Sequence, residues 1–209
     1  MKPTSPTSTE TALAGLRDRL GLRHEFAHDR DWSAAPDFLA LIVEHALAAK
    51  PVNIIECGSG LTTLMLARCC ALNGQGEVCS LEHGPEFAMR TRAEVARHDL
   101  ARHARVIDAP LTRYTLDGGE YGWYALDDLT DHGIDMLVID GPPGFLQRNA
   151  RYPALPLLLD KLAEHGVVFL DDAGRGDERE IVAMWQARFP DIHHEFIETE
   201  RGCSILRRH

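Results

Sequence analysis

Three aspartates lie where two buried strands are expected to end. Asp140 follows the apolar run "IDMLVI", and Asp171 and Asp172 follow "VVFL". If these runs are neighbouring parallel strands, their carboxyl ends lie about 5 Å apart, so the carboxylates crowd one edge of a sheet. Crowded carboxylates repel one another, and a divalent cation that prefers oxygen ligands removes that penalty. The pattern predicts a metal site of Asp140, Asp171 and Asp172.

The same aspartates also have a simpler, structural interpretation. Asp140 precedes "GPPG" and could form an Asx turn. Asp171 or Asp172 could cap the helix that follows. Both interpretations stay open at the level of sequence.

A second group of residues surrounds a glycine turn. The stretch "NIIECGSGLTT" places Gly58 and Gly60 between a strand-like run and a helix-like run. Because glycine lacks Cβ, a ligand can approach the backbone there, and the free N–H groups at the start of the helix face it. The turn predicts binding of a polar ligand.

Two glutamates indicate which ligand the turn holds. Glu82 ends the next strand-like run, 22 residues after Gly60, where a carboxylate can accept hydrogen bonds from the ribose hydroxyls of an adenosine cofactor. Glu56 directly precedes the turn; its charge suits the ammonium or sulfonium of S-adenosylmethionine and would repel a pyrophosphate. These residues favour S-adenosylmethionine over a nicotinamide dinucleotide.

Alternating elements must position these residues. Strand-like runs separated by about 10 to 16 residues of helical pattern imply right-handed crossovers and a mostly parallel sheet. We therefore expect a doubly wound, Rossmann-like α/β domain with helices on both faces, whose ligands bind at the carboxyl ends of the strands. Residues 124–133 are expected to form a helical turn, and residues 151–166 a helix closed by Gly166.

The chain divides into three predicted parts. Residues 1–9 are expected to be a disordered tail, residues 10–49 an N-terminal helical cap, and residues 50–209 the S-adenosylmethionine-binding domain. The cap could cover the active edge of the sheet or join two subunits in a homodimer.

Composition excludes several classes of partner. A net charge of -10 argues against nucleic acid, because affinity for phosphates comes from clustered Lys and Arg. No apolar run approaches the roughly 18 residues of a membrane span. The five cysteines show no C-x-x-C spacing, which indicates neither a disulfide framework nor a zinc site, and favours the cytoplasm.

The stretches "IIECGSGLTT", "CSLEH", "LVIDGPPG" and "VVFLDDA" resemble the class I S-adenosylmethionine-dependent methyltransferases. Within them the chain is similar to methyltransferase domain family 24 and to the catechol and macrocin O-methyltransferases. The resemblance implies a seven-stranded sheet of order 3-2-1-4-5-7-6 with the last strand antiparallel. It also implies that Glu56, Gly58, Ser59 and Gly60 contact the methionine part, that Glu82 contacts the ribose, and that Asp108 and Ala109 lie near adenine.

The resemblance further implies a mechanism, with two departures. In the metal-dependent O-methyltransferases the corresponding strand ends supply Mg²⁺ ligands. The catechol-type enzymes carry a Lys three residues after the first Asp, where this chain has Pro143, and usually an Asn where it has Asp172. Asp140 is therefore a candidate proton acceptor as well as a metal ligand, with His83 and His132 as weaker candidates.

The sequence thus predicts an O-methyltransferase that uses S-adenosylmethionine, assisted by Mg²⁺, on a small hydroxylated acceptor. One alternative is a catalytically silent, cofactor-binding partner subunit, which the missing Lys would fit. The other is a nicotinamide-dependent oxidoreductase, which Glu56 and the lack of a Tyr-x-x-x-Lys pair disfavour.

Overall fold

The protein's structure, a computed structural model, describes residues 8–26, 28–29, 32–129 and 133–208. Its helices and strands follow one another in this order: α1 (Ser8–Leu20), α2 (Pro36–Ala49), β1 (Asn53–Cys57), α3 (Leu61–Asn73), β2 (Glu77–Glu82), α4 (Pro85–Arg97), β3 (Ala104–Asp108), β4 (Leu111–Leu116), β5 (Gly119–Tyr124), β6 (Ile134–Ile139), α5 (Ala154–Leu158), β7 (Leu162–Leu170), α6 (Gly176–Arg188), β8 (Ile192–Ile197) and β9 (Cys203–Arg208).

Seven of these strands form one sheet of order β3-β2-β1-β6-β7-β9-β8. Strands β1, β2, β3, β6 and β7 are parallel, and β9 runs antiparallel to β7 and to β8. Counted within this sheet alone, the order is the predicted one, and the predicted fold is confirmed. The strand order reverses between β1 and β6, the place where open α/β sheets bind ligands.

Both faces of the sheet are covered, so most residues of its central strands are apolar. In β1, Ile54 packs into the core on one face with Phe38 of α2 and Met65 of α3. Its neighbour Ile55 packs into the core on the other face, with Trp185 of α6. Consecutive residues thus point to opposite faces, as the pleat requires.

The predicted helix over residues 151–166 is wrong beyond its first turns. Helix α5 ends at Leu158, a short 3-10 turn covers Leu159–Lys161, and β7 already begins at Leu162. Gly166 lies inside β7, where a Cβ would meet the carbonyl oxygen of Ile134 at 2.6 Å. The glycine permits a close approach of two strands and caps no helix. Periodicity cannot separate strand from helix in so short an apolar run.

The predicted helical turn over residues 124–133 is also wrong. Tyr124 ends β5, residues 125–129 form a non-helical turn, and residues 130–132 lie outside the described ranges. Strands β4 and β5 pair as an antiparallel hairpin, with Leu116 opposite Gly119. Asp117 and Gly118 form its two-residue loop, both with positive φ. An Asp-Gly pair is a known signal for this kind of turn, so the hairpin was predictable.

The N-terminal boundary differs slightly from the predicted one. Helix α1 begins at Ser8, so the last two residues of the expected tail are helical, and residues 1–7 lie outside the described ranges. None of the helices in those ranges is both long and apolar enough to cross a lipid bilayer.

Candidate active site

The glycine turn connects the carboxyl end of β1 to α3. Gly58 and Gly60 have φ values of +105° and +154°, which residues other than glycine rarely adopt. The Gly58 N–H donates to the carbonyl oxygen of Leu81 at 2.9 Å, which fixes the turn against β2. A Cβ at Gly60 would meet no atom within 4 Å. The turn therefore presents bare backbone to open space.

Glu56 supports this turn from beneath. Its carboxylate has no exposed surface, and Oε2 accepts hydrogen bonds from Thr63 Oγ1 and Ser80 Oγ, both at 2.5 Å. Thr63 Oγ1 also accepts from the Gly60 N–H at 3.0 Å. Burial raises the pKa of Glu56 to about 7. Oε1 has no hydrogen-bond partner among the described residues, so the predicted contact with the methionine part stays a prediction.

Glu82 joins the same turn at the end of β2. Its Oε1 accepts from the Gly84 N–H at 2.8 Å, and its Oε2 accepts from Ser59 Oγ at 2.9 Å. Ser59 Oγ lies 3.1 Å from Thr91 Oγ1 of α4. The structure thus brings Ser59 and Glu82 together, and their predicted contacts with the methionine part and the ribose, respectively, stay predictions.

Three cavities meet around these residues. Cavity A, about 170 Å³, lies over the turn and the start of α3, with Ser59, Gly60 and Leu61 in its wall. Cavity B, about 90 Å³, is lined by Gly58, Ser59, Glu82, His83, Phe87 and Tyr124 among others. Cavity C, about 740 Å³, lies beside Asp140 and Asp172, and its walls include Phe145, Arg175 and Arg201. Asp140 and Trp32 line all three cavities.

Trp32 lies at the mouth shared by the cavities. Its side chain is 53% exposed, with ring centroids 5.5 Å from Phe87 and 6.1 Å from Phe145. It belongs to the connection between α1 and α2. This connection therefore lies beside the cavities at the carboxyl edge of the sheet, while the role of residues 10–49, covering the active edge or joining two subunits, stays a prediction.

Asp108 and Ala109 lie at the end of β3, next to Glu82 at the end of β2. The Asp108 carboxylate is 2.9 Å from Arg92 Nη2, with 63% of its side chain exposed. Ala109 is buried, and its N–H donates to the carbonyl oxygen of Glu82 at 2.7 Å. Their predicted place near adenine stays a prediction.

The three aspartates do converge. Oxygens of Asp140, Asp171 and Asp172 lie within 4.8 Å of one another. Burial and the neighbouring Asp172 raise the pKa of Asp140 to about 7, against the lowering effect of Arg151. Burial, with the charge of Asp140, raises the pKa of Asp171 well above its ordinary value. The cluster holds more negative charge than its burial favours.

Arg151 lies inside this cluster and was missed by the sequence analysis. Its Nη1 donates to the carbonyl oxygen of Asp171 at 2.9 Å, and its Nη2 donates to the carbonyl oxygen of Asp140 at 2.6 Å and to Asp172 Oδ2 at 2.9 Å. Its Nε is 3.9 Å from Glu178 Oε1. The only sequence signal is a lone Arg before the apolar run "YPALPLLL".

The aspartates fit a divalent cation in spite of this arginine. Asp171 Oδ2 and Asp172 Oδ1 are buried and have no hydrogen-bond partner among the described residues. Asp140 adds a carboxylate with 23% of its side chain exposed. Oxygen donors of this kind suit Mg²⁺ or Ca²⁺. Unsatisfied buried oxygens point to a ligand that completes them.

The two histidines considered as proton acceptors have different outcomes. His83 lines cavity B, as Asp140 does, and its Nδ1 lies 3.2 Å from Glu82 Oε1. His132 lies outside the described residues.

Known proteins similar to this chain share its fold. A family model described as methyltransferase domain (Methyltransf_24) matches residues 55–173. The chain is similar to the methyltransferase PaMTH1 from Podospora anserina, solved with S-adenosylhomocysteine, at 15% identity and TM-score 0.68 over 100% of both chains. It is also similar to the O-methyltransferase from Bacillus cereus, solved with the same ligand, at 16% identity and TM-score 0.63, over 100% of this chain and 93% of that one.

A further similar structure is TomG from Streptomyces achromogenes, an O-methyltransferase involved in tomaymycin synthesis and solved with S-adenosylmethionine. It is 16% identical, with TM-score 0.62, over 98% of this chain and 91% of that one. No curated protein matches the chain.

Proposed function

Because the chain belongs to the methyltransferase domain family Methyltransf_24, whose model matches residues 55–173, we propose that it transfers a methyl group from S-adenosylmethionine to a hydroxyl oxygen of a small acceptor, with Mg²⁺ assistance. One observation carries the proposal. Asp140 lines cavities A and B around the glycine turn and also cavity C beside the aspartates. A donor in the first two and an acceptor in the third would meet at this residue.

The glycine turn and Glu82 would hold the cofactor. Bare backbone at Gly58 and Gly60 suits close approach of the methionine part. A side chain at position 60 would project into the open space beside the turn, which the methionine part would occupy. The Glu82 carboxylate, held by Ser59 and by the Gly84 N–H, can accept hydrogen bonds from ribose hydroxyls. S-adenosylmethionine supplies a methyl group bound to a positively charged sulfur.

Asp140, Asp171 and Asp172 would hold the cation. When bound, Mg²⁺ supplies Lewis-acid stabilisation of a deprotonated acceptor oxygen. Asp140 has two carboxylate oxygens, so one can hold the cation while the other accepts the acceptor's proton.

The walls of cavity C would orient the acceptor. Its volume of about 740 Å³ suits a small molecule. Trp32 and Phe145 offer apolar surface beside Asp140, and placement of the hydroxyl in line with the methyl group is the main contribution such walls can make.

Calorimetric titration of the metal-stripped protein with S-adenosylhomocysteine, with and without Mg²⁺, tests the proposal. We expect micromolar binding of the product and separate or cooperative binding of Mg²⁺, with NADH as a non-binding control ligand. Tighter binding of NADH than of S-adenosylhomocysteine would overturn the proposal and favour the nicotinamide-dependent oxidoreductase.

Variants and an acceptor screen test catalysis itself. Asp171→Ala and Asp172→Ala should lose methyl transfer and Mg²⁺ binding but keep S-adenosylhomocysteine binding, whereas Asp128→Ala, at an exposed site, should keep all three. Cofactor binding without transfer to any hydroxylated acceptor would favour the silent partner subunit.

The other sequence predictions remain part of the proposal: a small-molecule acceptor with no nucleic acid or membrane partner, a homodimer, and a cytoplasmic setting. Five free, buried cysteines support a reducing compartment.

A further inference from the structure

Arg151 joins the two strand ends that carry the aspartates. It precedes α5, and its side chain is only 3% exposed. Its two terminal nitrogens donate to the carbonyl oxygens of Asp140, after β6, and Asp171, after β7. Because a guanidinium is planar and rigid, these bonds fix the distance and angle between the two strand ends. A side chain with one nitrogen cannot reach the same oxygens in the same way.

The same guanidinium orients the carboxylate of Asp172. Nη2 donates to Oδ2 at 2.9 Å, while Oδ1 is buried with no hydrogen-bond partner in the described chain. Asp172 also has a backbone φ of +59°, a conformation that costs free energy in a residue other than glycine. Arg151 thus holds one oxygen of a strained residue and leaves the other available.

Arg175 offers a comparison within the site. Its Nη1 lies 2.8 Å from the same Asp172 oxygen, but its side chain is 53% exposed. Exposed ion pairs contribute little, and among the described residues Arg175 donates to neither strand-end carbonyl oxygen. The two arginines share an oxygen but differ in burial and in what else they hold.

We propose that Arg151 is the positioning residue of the cation site, holding Asp140 and Asp171 together and turning Asp172 so that unpaired oxygens of Asp171 and Asp172 face a common cation. This inference rests on the proposed function, because it concerns the cation that the aspartates would bind. It assigns Arg151 no contact with the acceptor.

Titration of the full chain with Mn²⁺ tests the inference. Binding is measured as the loss of the EPR signal of the free ion. We expect Arg151→Lys, which keeps the charge but loses the fork of donors, to weaken Mn²⁺ binding by about 10- to 100-fold, the usual effect of removing an outer-shell partner. S-adenosylhomocysteine affinity should fall by less than Mn²⁺ affinity, because among the described residues that Arg151 contacts only Asp140 lines cavities A and B. Arg175→Lys is the matched control: it makes the same charge-preserving change at the exposed arginine and should bind Mn²⁺ like the unmodified protein.

A double variant separates positioning from charge. Arg151→Gln with Glu178→Gln removes one positive and one negative charge from the cluster, so the net charge does not change. Positioning predicts that this variant also binds Mn²⁺ weakly. Binding equal to the unmodified protein in Arg151→Lys or in the double variant would overturn the inference and leave the proposed function intact. Absence of Mn²⁺ binding to the unmodified protein would overturn both the inference and the metal assistance.

Discussion

The hydroxyl group of Thr63 links the glycine turn to the buried Glu56. It donates to the buried Glu56 carboxylate and accepts from the Gly60 N–H. We expect Thr63→Val to lower the free energy of unfolding by about 1 to 3 kcal/mol, since both partners lose their bond inside the protein. Cofactor affinity should fall as well. Urea denaturation and calorimetry would measure both, with the exposed hairpin residue Thr112→Val as a control that changes neither.

Glu56 makes the stability of the unliganded protein depend on pH. Burial raises the pKa of its carboxyl from 4.5 to about 7, so between these values the folded protein keeps a proton that the unfolded chain releases. The group's contribution is complete below its unfolded pKa and is lost as the pH rises through 7, by as much as about 3 kcal/mol.

Urea denaturation from about pH 5 to pH 8 would measure this effect in the protein and in Glu56→Gln. The variant has no titrating group at this position, so the difference between the two curves isolates Glu56. Parallel curves would contradict the assignment.

Among single residues, the sequence pointed to most of the candidate site but not to the side chains that support it. Gly58, Gly60, Glu82 and the three aspartates are recognisable because each lies at or just after the end of a strand. Arg151 is not, since its partners Asp140, Asp171 and Asp172 are distant in the chain and meet it only after β6 and β7 pair.

Among the elements, the hairpin of β4 and β5 depends on its two-residue loop. Gly118 has a φ of +80°, which alanine adopts only at a cost. We expect Gly118→Ala to lower the free energy of unfolding by about 1 kcal/mol.

Gly15 in α1 gives the opposite expectation. It is exposed, and a Cβ there would meet nothing within 4 Å, so Gly15→Ala should raise the free energy of unfolding by about 0.5 to 1 kcal/mol. Thermal and urea denaturation would check both variants. A loss of stability in Gly15→Ala would show that α1 is not the helix described.

The order of the sheet was predictable because its strands alternate with amphipathic helices, and connections of this kind have one handedness. The start of β7 was not, because the run from Leu155 to Leu162 is apolar at helical and at strand spacing alike. Only the approach of Gly166 to β6 resolves it, and that contact is a property of the folded sheet.

For the whole molecule, the reach of the N-terminal cap over the cavities predicts an optical signal. Trp123 and Trp185 are fully buried, whereas Trp32 is half exposed at the mouth of cavities A, B and C. We expect S-adenosylhomocysteine to shift tryptophan emission to shorter wavelengths by covering Trp32. The shift should disappear in Trp32→Phe and persist in Trp185→Phe; a shift retained without Trp32 would contradict this position for the cap.

The place of β9 in the sheet constrains how the chain can fold while it is being synthesised. β9 pairs with β7 on one side and β8 on the other, although both of those strands leave the ribosome before it. Until residues 203–208 emerge, β7 presents unpaired N–H and C=O groups along its edge, a template for pairing with another chain. The nascent protein therefore passes through an interval in which the glycine turn can form but the sheet still has an open edge, and shielding by the ribosome or a chaperone matters most during that interval.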